Sequence, residues 1–93
     1  MHAELISERE WVNLRDRLHL SERQVQIARL LVQGKADKQI ACELGVSMGT
    51  VRTYMDRLFR KFDLHDRVEL IVHVFRCVRE QSADAVQASA RTG

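Results

Sequence analysis

Apolar residues along this chain recur three and four positions apart in five separate stretches, the spacing of helices with one buried face. Trp11, Leu14 and Leu18 predict a helix over roughly 8–18, behind "SERE" at Ser7 to Glu10, a capping box in which Ser7 caps and Glu10 reaches back. "SERQ" at Ser21 to Gln24 repeats that device and opens a second helix. Its apolar arc holds Ile27, Ala28, Leu31 and Val32, with Leu30 outside, and Gly34 ends it. A short helix over about 37–44 follows, with Asp37 as its N-cap, Ile40, Ala41 and Leu44 inside, and Gly45 as its stop. Ser47 caps the next helix, about 48–62, whose Val51, Met55, Leu58 and Phe62 fall in one narrow arc. "DRVE" at Asp66 to Glu69 is a third capping box. The helix behind it, to about Arg79, carries two apolar stripes, Val68, Ile71, Val72, Phe75 and Leu70, Val74, Cys77, with Val78 between them. The remaining "EQSADAVQASARTG" has no large apolar residue beyond one Val and predicts a flexible tail. Strand-like alternation is absent, so the fold class is all-α.

Composition narrows the picture. With 93 residues, 45% hydrophobic, the chain suits one domain with a modest core. No run is long enough to span a bilayer, and "MHAELISERE" lacks the basic and apolar segments of a secretory signal, so a cytoplasmic location is expected. Cys42 and Cys77 read as reduced, mostly buried residues. His73 and Cys77 share a helix face, but two further ligands at suitable spacing are missing, so no metal is expected. Neither a phosphate-cradling Gly-rich loop nor a nucleophile–base grouping nor paired carboxylates occurs, which argues against an enzyme. His19, His65 and His73 read as surface or boundary residues.

Net charge is only +2, so what matters is where the charges lie. Between Arg52 and Lys61 four cations, Arg52, Arg57, Arg60 and Lys61, face one acid, Asp56, a local +3 on one helix. An ordinary solvated face would more often alternate signs at four-residue spacing. The helix also follows a tight turn: Ala41 is small enough for close approach, Gly45 supplies the turn and Val46 plugs the corner. This is a helix-turn-helix arrangement, whose second helix enters a DNA major groove.

From Leu20 to Phe75 the sequence resembles the LuxR-type (GerE-like) helix-turn-helix DNA-binding domain. The resemblance lies in the Leu-Ser-x-Arg start, Gly34, "KQIACELGVS", "GTVRTYMDRLFRKF" and "RVEL". It implies a four-helix domain over 20–79, preceded here by a helical extension over 1–19 packed on it and followed by the tail over 80–93. It implies base reading by Arg52, Thr53 and Asp56. Phosphate contacts would come from Thr50, Tyr54, Arg57 and Lys61, with Lys38 and Ser47 nearby. A guanidinium can pair with guanine O6 and N7, a threonine methyl can pack on thymine, and a carboxylate can accept from cytosine N4. A homodimer, at least on DNA, is implied through the last helix. Leu70, Val74 and Val78 are assigned to its face, the alternative being that all three close the core. RNA polymerase is a further partner of such regulators; no cofactor, small-molecule ligand or membrane is implied. Asp56 stands where a basic or small polar residue is commoner, Tyr54 where His is frequent, and Ala36 where Ser or Thr usually precedes the second helix.

Transcription regulation by sequence-specific duplex binding is therefore the leading expectation. The second is an interaction module that heterodimerises with a larger LuxR-type regulator. A sigma-factor region 4 shares the helix-turn-helix and would bind RNA polymerase, but "DRVELIVHVF" argues against it. The capped first helix favours a free-standing regulator over an excised C-terminal domain.

Overall fold

The computed structural model describes the backbone of residues 5–92 and the side chains of residues 5–83. Five helices follow one another: α1 (Glu8–Leu18), α2 (Glu22–Val32), α3 (Asp37–Leu44), α4 (Met48–Lys61) and α5 (Arg67–Thr92). No strand occurs among the described residues.

The helix starts are built alike. Ser7 and Ser21 each accept from the backbone N–H three residues on, and Glu10 and Gln24 accept in return from the serine N–H. Ser47 accepts from the Thr50 N–H at 3.1 Å. Each of these serines follows an apolar residue (Ile6, Leu20, Val46) and precedes another by four positions (Trp11, Val25, Val51). This is the staple pattern that fixes the angle of entry, and all six residues lie in or against the core. α3 departs from expectation. Its N-cap position is Ala36, which offers no side-chain oxygen, and Gln39 accepts from the Ala36 N–H instead. Asp37 lies one residue inside the helix and spends its carboxylate on Arg67. At α5 the Asp66 carboxylate accepts from the Glu69 N–H, while Glu69 reaches past Asp66 to the His65 N–H.

The core draws on every helix: Trp11 and Leu14 from α1, Ile27 and Leu31 from α2, Ile40 from α3, Val51 and Leu58 from α4, Leu70 and Val74 from α5. Each such side chain stabilises the fold by about 1.5–3 kcal/mol. Leu30, expected outside the α2 arc, is buried as well, beside the groove it shares with Leu44.

α1 is clamped as well as packed. Arg29 of α2 holds Glu8 at 2.7 Å and lies over the Trp11 ring at 5.7 Å, and Arg15 holds Glu22 at 3.1 Å. The hydrogen bond from Arg29, with its charge, draws the Glu8 carboxyl below its ordinary value.

Three further expectations are corrected. Leu70 and Val74, assigned to a dimer face, are core residues at 1% and 4% exposure, because α5 lays this stripe against α1 and α2; Val78 packs partly buried on the same side. Of the other stripe, Phe75 packs partly buried against the core, while Val68 and Val72 are left outside, 65% and 49% exposed. Cys42 is exposed and only Cys77 is buried, where burial pushes its thiol up in pKa; His73 Nε2 lies 3.8 Å from that sulfur. The tail continues α5 as helix to Thr92, since its Ala, Gln and Arg residues favour helix and no Gly or Pro interrupts them. The tail side chains beyond Ala83, Gly93, and residues 1–4 of the N-terminal extension lie outside the described residues.

Candidate nucleic-acid interface

α3 and α4 form the most extensive helix pair, joined by Gly45, Val46 and Ser47. Gly45 takes the left-handed conformation at φ 67°, which costs a glycine nothing. The Val46 N–H then returns to the Ala41 carbonyl at 3.0 Å, closing the end of α3 and aiming Val46 into the corner. Ala41, 7% exposed, keeps the crossing close.

α4 divides cleanly. Val51, Met55 and Leu58 are buried, with Phe62 packed against them. Arg52, Asp56, Gly49, Arg60 and Thr53 are exposed and share an arc of about 100°. Arg57, Thr50, Lys61 and Tyr54 continue that arc along one flank, Thr50 and Tyr54 half-buried and the two cations exposed. The Thr53 hydroxyl donates to the Gly49 carbonyl at 3.1 Å, which satisfies it locally and leaves the methyl as its outward group. The Ser47 and Thr50 hydroxyls lie 2.9 Å apart at the N-terminus of α4. Lys38 is exposed in the first turn of α3.

The ion pairs sharpen the charge pattern. Arg15, Arg29, Lys35 and Arg67 are each paired with a carboxylate, most of them between helices. Among the described residues, Lys38, Arg52, Arg57, Arg60 and Lys61 have no ion-pair partner, even though Asp56 stands four residues from both Arg52 and Arg60. An exposed helix face with unspent guanidinium groups, uncovered backbone at its capped N-terminus and a +3 excess is suited to a polyanion. The sequence showed Arg23 on α2 only as part of the Leu-Ser-x-Arg start and gave it no contact; the structure sets it beside Tyr54 and Arg57. Its signal was a cation in the first turn of a capped helix, where an acid is the favoured charge.

Fold and face together define a helix-turn-helix DNA-binding domain. Residues 18–74 match the family described as bacterial regulatory proteins, luxR family, well over half of the chain. The chain belongs to this family of transcription regulators. It is 36% identical over 67 residues to the two-component response regulator PprB of Pseudomonas aeruginosa, covering 72% of this chain and 24% of that protein. It is 36% identical over 52 residues to the transcriptional regulatory protein DesR of Bacillus subtilis, covering 56% and 26%. It is 41% identical over 56 residues to the transcriptional regulatory protein UhpA of Escherichia coli, covering 60% and 29%. The chain thus spans roughly a quarter of the length of these relatives. No solved structure gives a significant match.

Proposed function

We propose that this protein binds duplex DNA sequence-specifically to regulate transcription, with α4 lying in the major groove. The observation that carries this reading is the exposed arc of α4, where cations without partners stand opposite the buried Val51, Met55 and Leu58. In this reading Arg52, Thr53 and Asp56 meet base edges, Arg52 on a guanine, the Thr53 methyl on a thymine and Asp56 on a cytosine amine. Thr50, Tyr54, Arg57 and Lys61 on the flank, with Lys38 and Ser47, hold phosphates and fix the register. The protein acts in the cytoplasm; no helix among the described residues is long and apolar enough to cross a membrane.

On DNA the protein acts as a homodimer, its half-sites about one helical turn apart. Val68 and Val72, one turn apart on α5, support this: they are large apolar side chains left in water on the face away from the core. The same face suits a second reading, pairing with a longer member of the family.

The test is a fluorescence titration with mixed-sequence duplex at two salt concentrations, beside an Arg57→Ala, Lys61→Ala double variant. Binding that weakens steeply with salt and is lost in the variant is expected. Absence of binding at low salt would overturn the reading and favour the partner-protein alternative.

A further inference from the structure

Between the first turn of α2 and the flank of α4 lies a recess of about 180 Å³, lined by Ser21, Arg23, Gln24, Ile27, Tyr54 and Arg57. Both charged side chains in that lining are guanidinium groups. Ile27 forms an apolar floor, being fully buried. The capping box already engages the Ser21 hydroxyl oxygen and the Gln24 amide oxygen with backbone N–H groups. Those bonds use the two oxygens as acceptors and leave the Ser21 O–H and the Gln24 NH2 as donors beside Arg23, Arg57 and the Tyr54 hydroxyl, a set suited to a phosphate.

Arg23 is at an electrostatic disadvantage where it stands, because the positive end of a helix repels a cation. It has no ion-pair partner among the described residues. What holds it is the Tyr54 ring, whose centroid lies 5.6 Å from the guanidinium carbon, within cation–π reach. Tyr54 thus connects α2 to the flank of α4 that also carries Thr50, Arg57 and Lys61. A duplex entered by α4 runs one of its backbones along that flank, and the flank continues onto Arg23.

We propose that Arg23, seated on the Tyr54 ring and flanked by Arg57, binds a phosphodiester of the duplex that α4 enters, so that α2 grips the DNA as well as the helix-turn-helix pair. Tyr54 is then a positioning residue through its ring, in addition to any contact its hydroxyl makes. The inference rests on the duplex-binding reading above.

The test measures the slope of log K against log salt for duplex binding in the full chain and in Arg23→Gln, each also in Tyr54→Phe and Tyr54→Leu backgrounds. Thermal melts check that each variant is folded. Arg23→Gln is expected to flatten the slope by about 0.9, the loss of one phosphate contact. It should weaken operator and mixed-sequence duplex by the same several-fold factor. The change should recur in full with Tyr54→Phe, which keeps the ring, and vanish with Tyr54→Leu, which removes it. An unchanged slope in Arg23→Gln, with the parent protein binding normally, overturns the Arg23 contact alone. No binding by the parent at low salt instead overturns the duplex reading on which it rests. Inorganic phosphate that perturbs the Arg23 side-chain resonance while Arg23→Gln leaves the DNA slope intact would assign the recess to free phosphate and overturn the duplex assignment.

Discussion

The Arg67 guanidinium closes on the Asp37 carboxylate from thirty positions away, and its other terminal nitrogen donates to the Lys35 carbonyl at 3.1 Å. One side chain at the start of α5 thereby fixes both the start of α3 and the loop before it. This loop carries no side-chain cap of its own at Ala36. The pair is partly open to water, with 36% and 25% of the side chains accessible, so solvent screening discounts it. Arg67→Met and Asp37→Asn should each cost about 1 kcal/mol. That lowers the melting temperature by about 4–8 °C in a domain of this size. The double variant should cost little more than either single one, and additive losses in thermal melts would refute the coupling.

Groove reading predicts a division between two kinds of cationic contact, one to a base and one to a phosphate. Arg52→Ala should cost about 1–3 kcal/mol on the preferred operator and relax the choice of one base pair. Lys61→Ala should weaken all sequences alike and lower the salt slope by about one. Titrations of both variants against an operator and its single-base substitutions check this. An equal loss on every sequence in Arg52→Ala would remove Arg52 from the base-reading set.

The elements were legible in the sequence because the signals that make them are local. Ser7, Ser21 and Ser47 announce helix starts within three residues, Gly34 and Gly45 announce stops, and the arc Val51, Met55, Leu58 fixes which side of α4 is dry. What eluded the sequence depends on distant partners. Periodicity finds two stripes on α5 and cannot say which is covered; the packing of α1 and α2 decides for Leu70 and Val74. Asp37 has the chemistry of a cap, but Arg67 claims its carboxylate. Arg23 gains its setting only when α4 brings Tyr54 beneath it. The exposed arc of α4 was readable from spacing alone; its lack of ion pairs was not.

The reversal on α5 makes the two stripes experimentally separable. Val74→Asp buries a carboxylate with no partner and should cost several kcal/mol, enough to unfold a domain of this size. Val72→Asp places the same charge in water and should leave the melting temperature nearly unchanged. It should nevertheless reduce dimer formation on a two-half-site duplex, read by sedimentation of the complex. Full dimer formation in both Val68→Asp and Val72→Asp would move the interface elsewhere.

Glu8 supplies a pH-dependent term. Accepting a hydrogen bond from Arg29, with the charge beside it, lowers its folded-state pKa below the ordinary carboxylate value. Its contribution is therefore present above the unfolded-state pKa and is lost as pH falls through the lower, folded-state value. Glu8→Gln should remove that part of the acid-side decline in the stability of α1, followed by amide exchange in residues 8–18. An unchanged acid profile in Glu8→Gln would show that the pair does not fasten α1.

Gly49 sets stability against recognition. It lies in the first turn of α4, where glycine destabilises relative to alanine by at most the roughly 0.5–1 kcal/mol it costs mid-helix. Nothing within the protein demands the missing methyl: a Cβ there would meet only the Ser47 hydroxyl oxygen at 3.8 Å, an ordinary contact. Its backbone angle is not of the kind that favours glycine, unlike that of Gly45. The bare position lies in the same exposed arc as Arg52, Thr53 and Asp56, one turn before Thr53, which donates to the Gly49 carbonyl. A groove wall approaching the N-terminal turn of α4 would meet the added methyl first. Gly49→Ala should therefore raise the melting temperature while weakening operator binding. A variant that gains stability with unaltered affinity would mean that the first turn of α4 stays clear of the DNA and that base reading begins further along the helix.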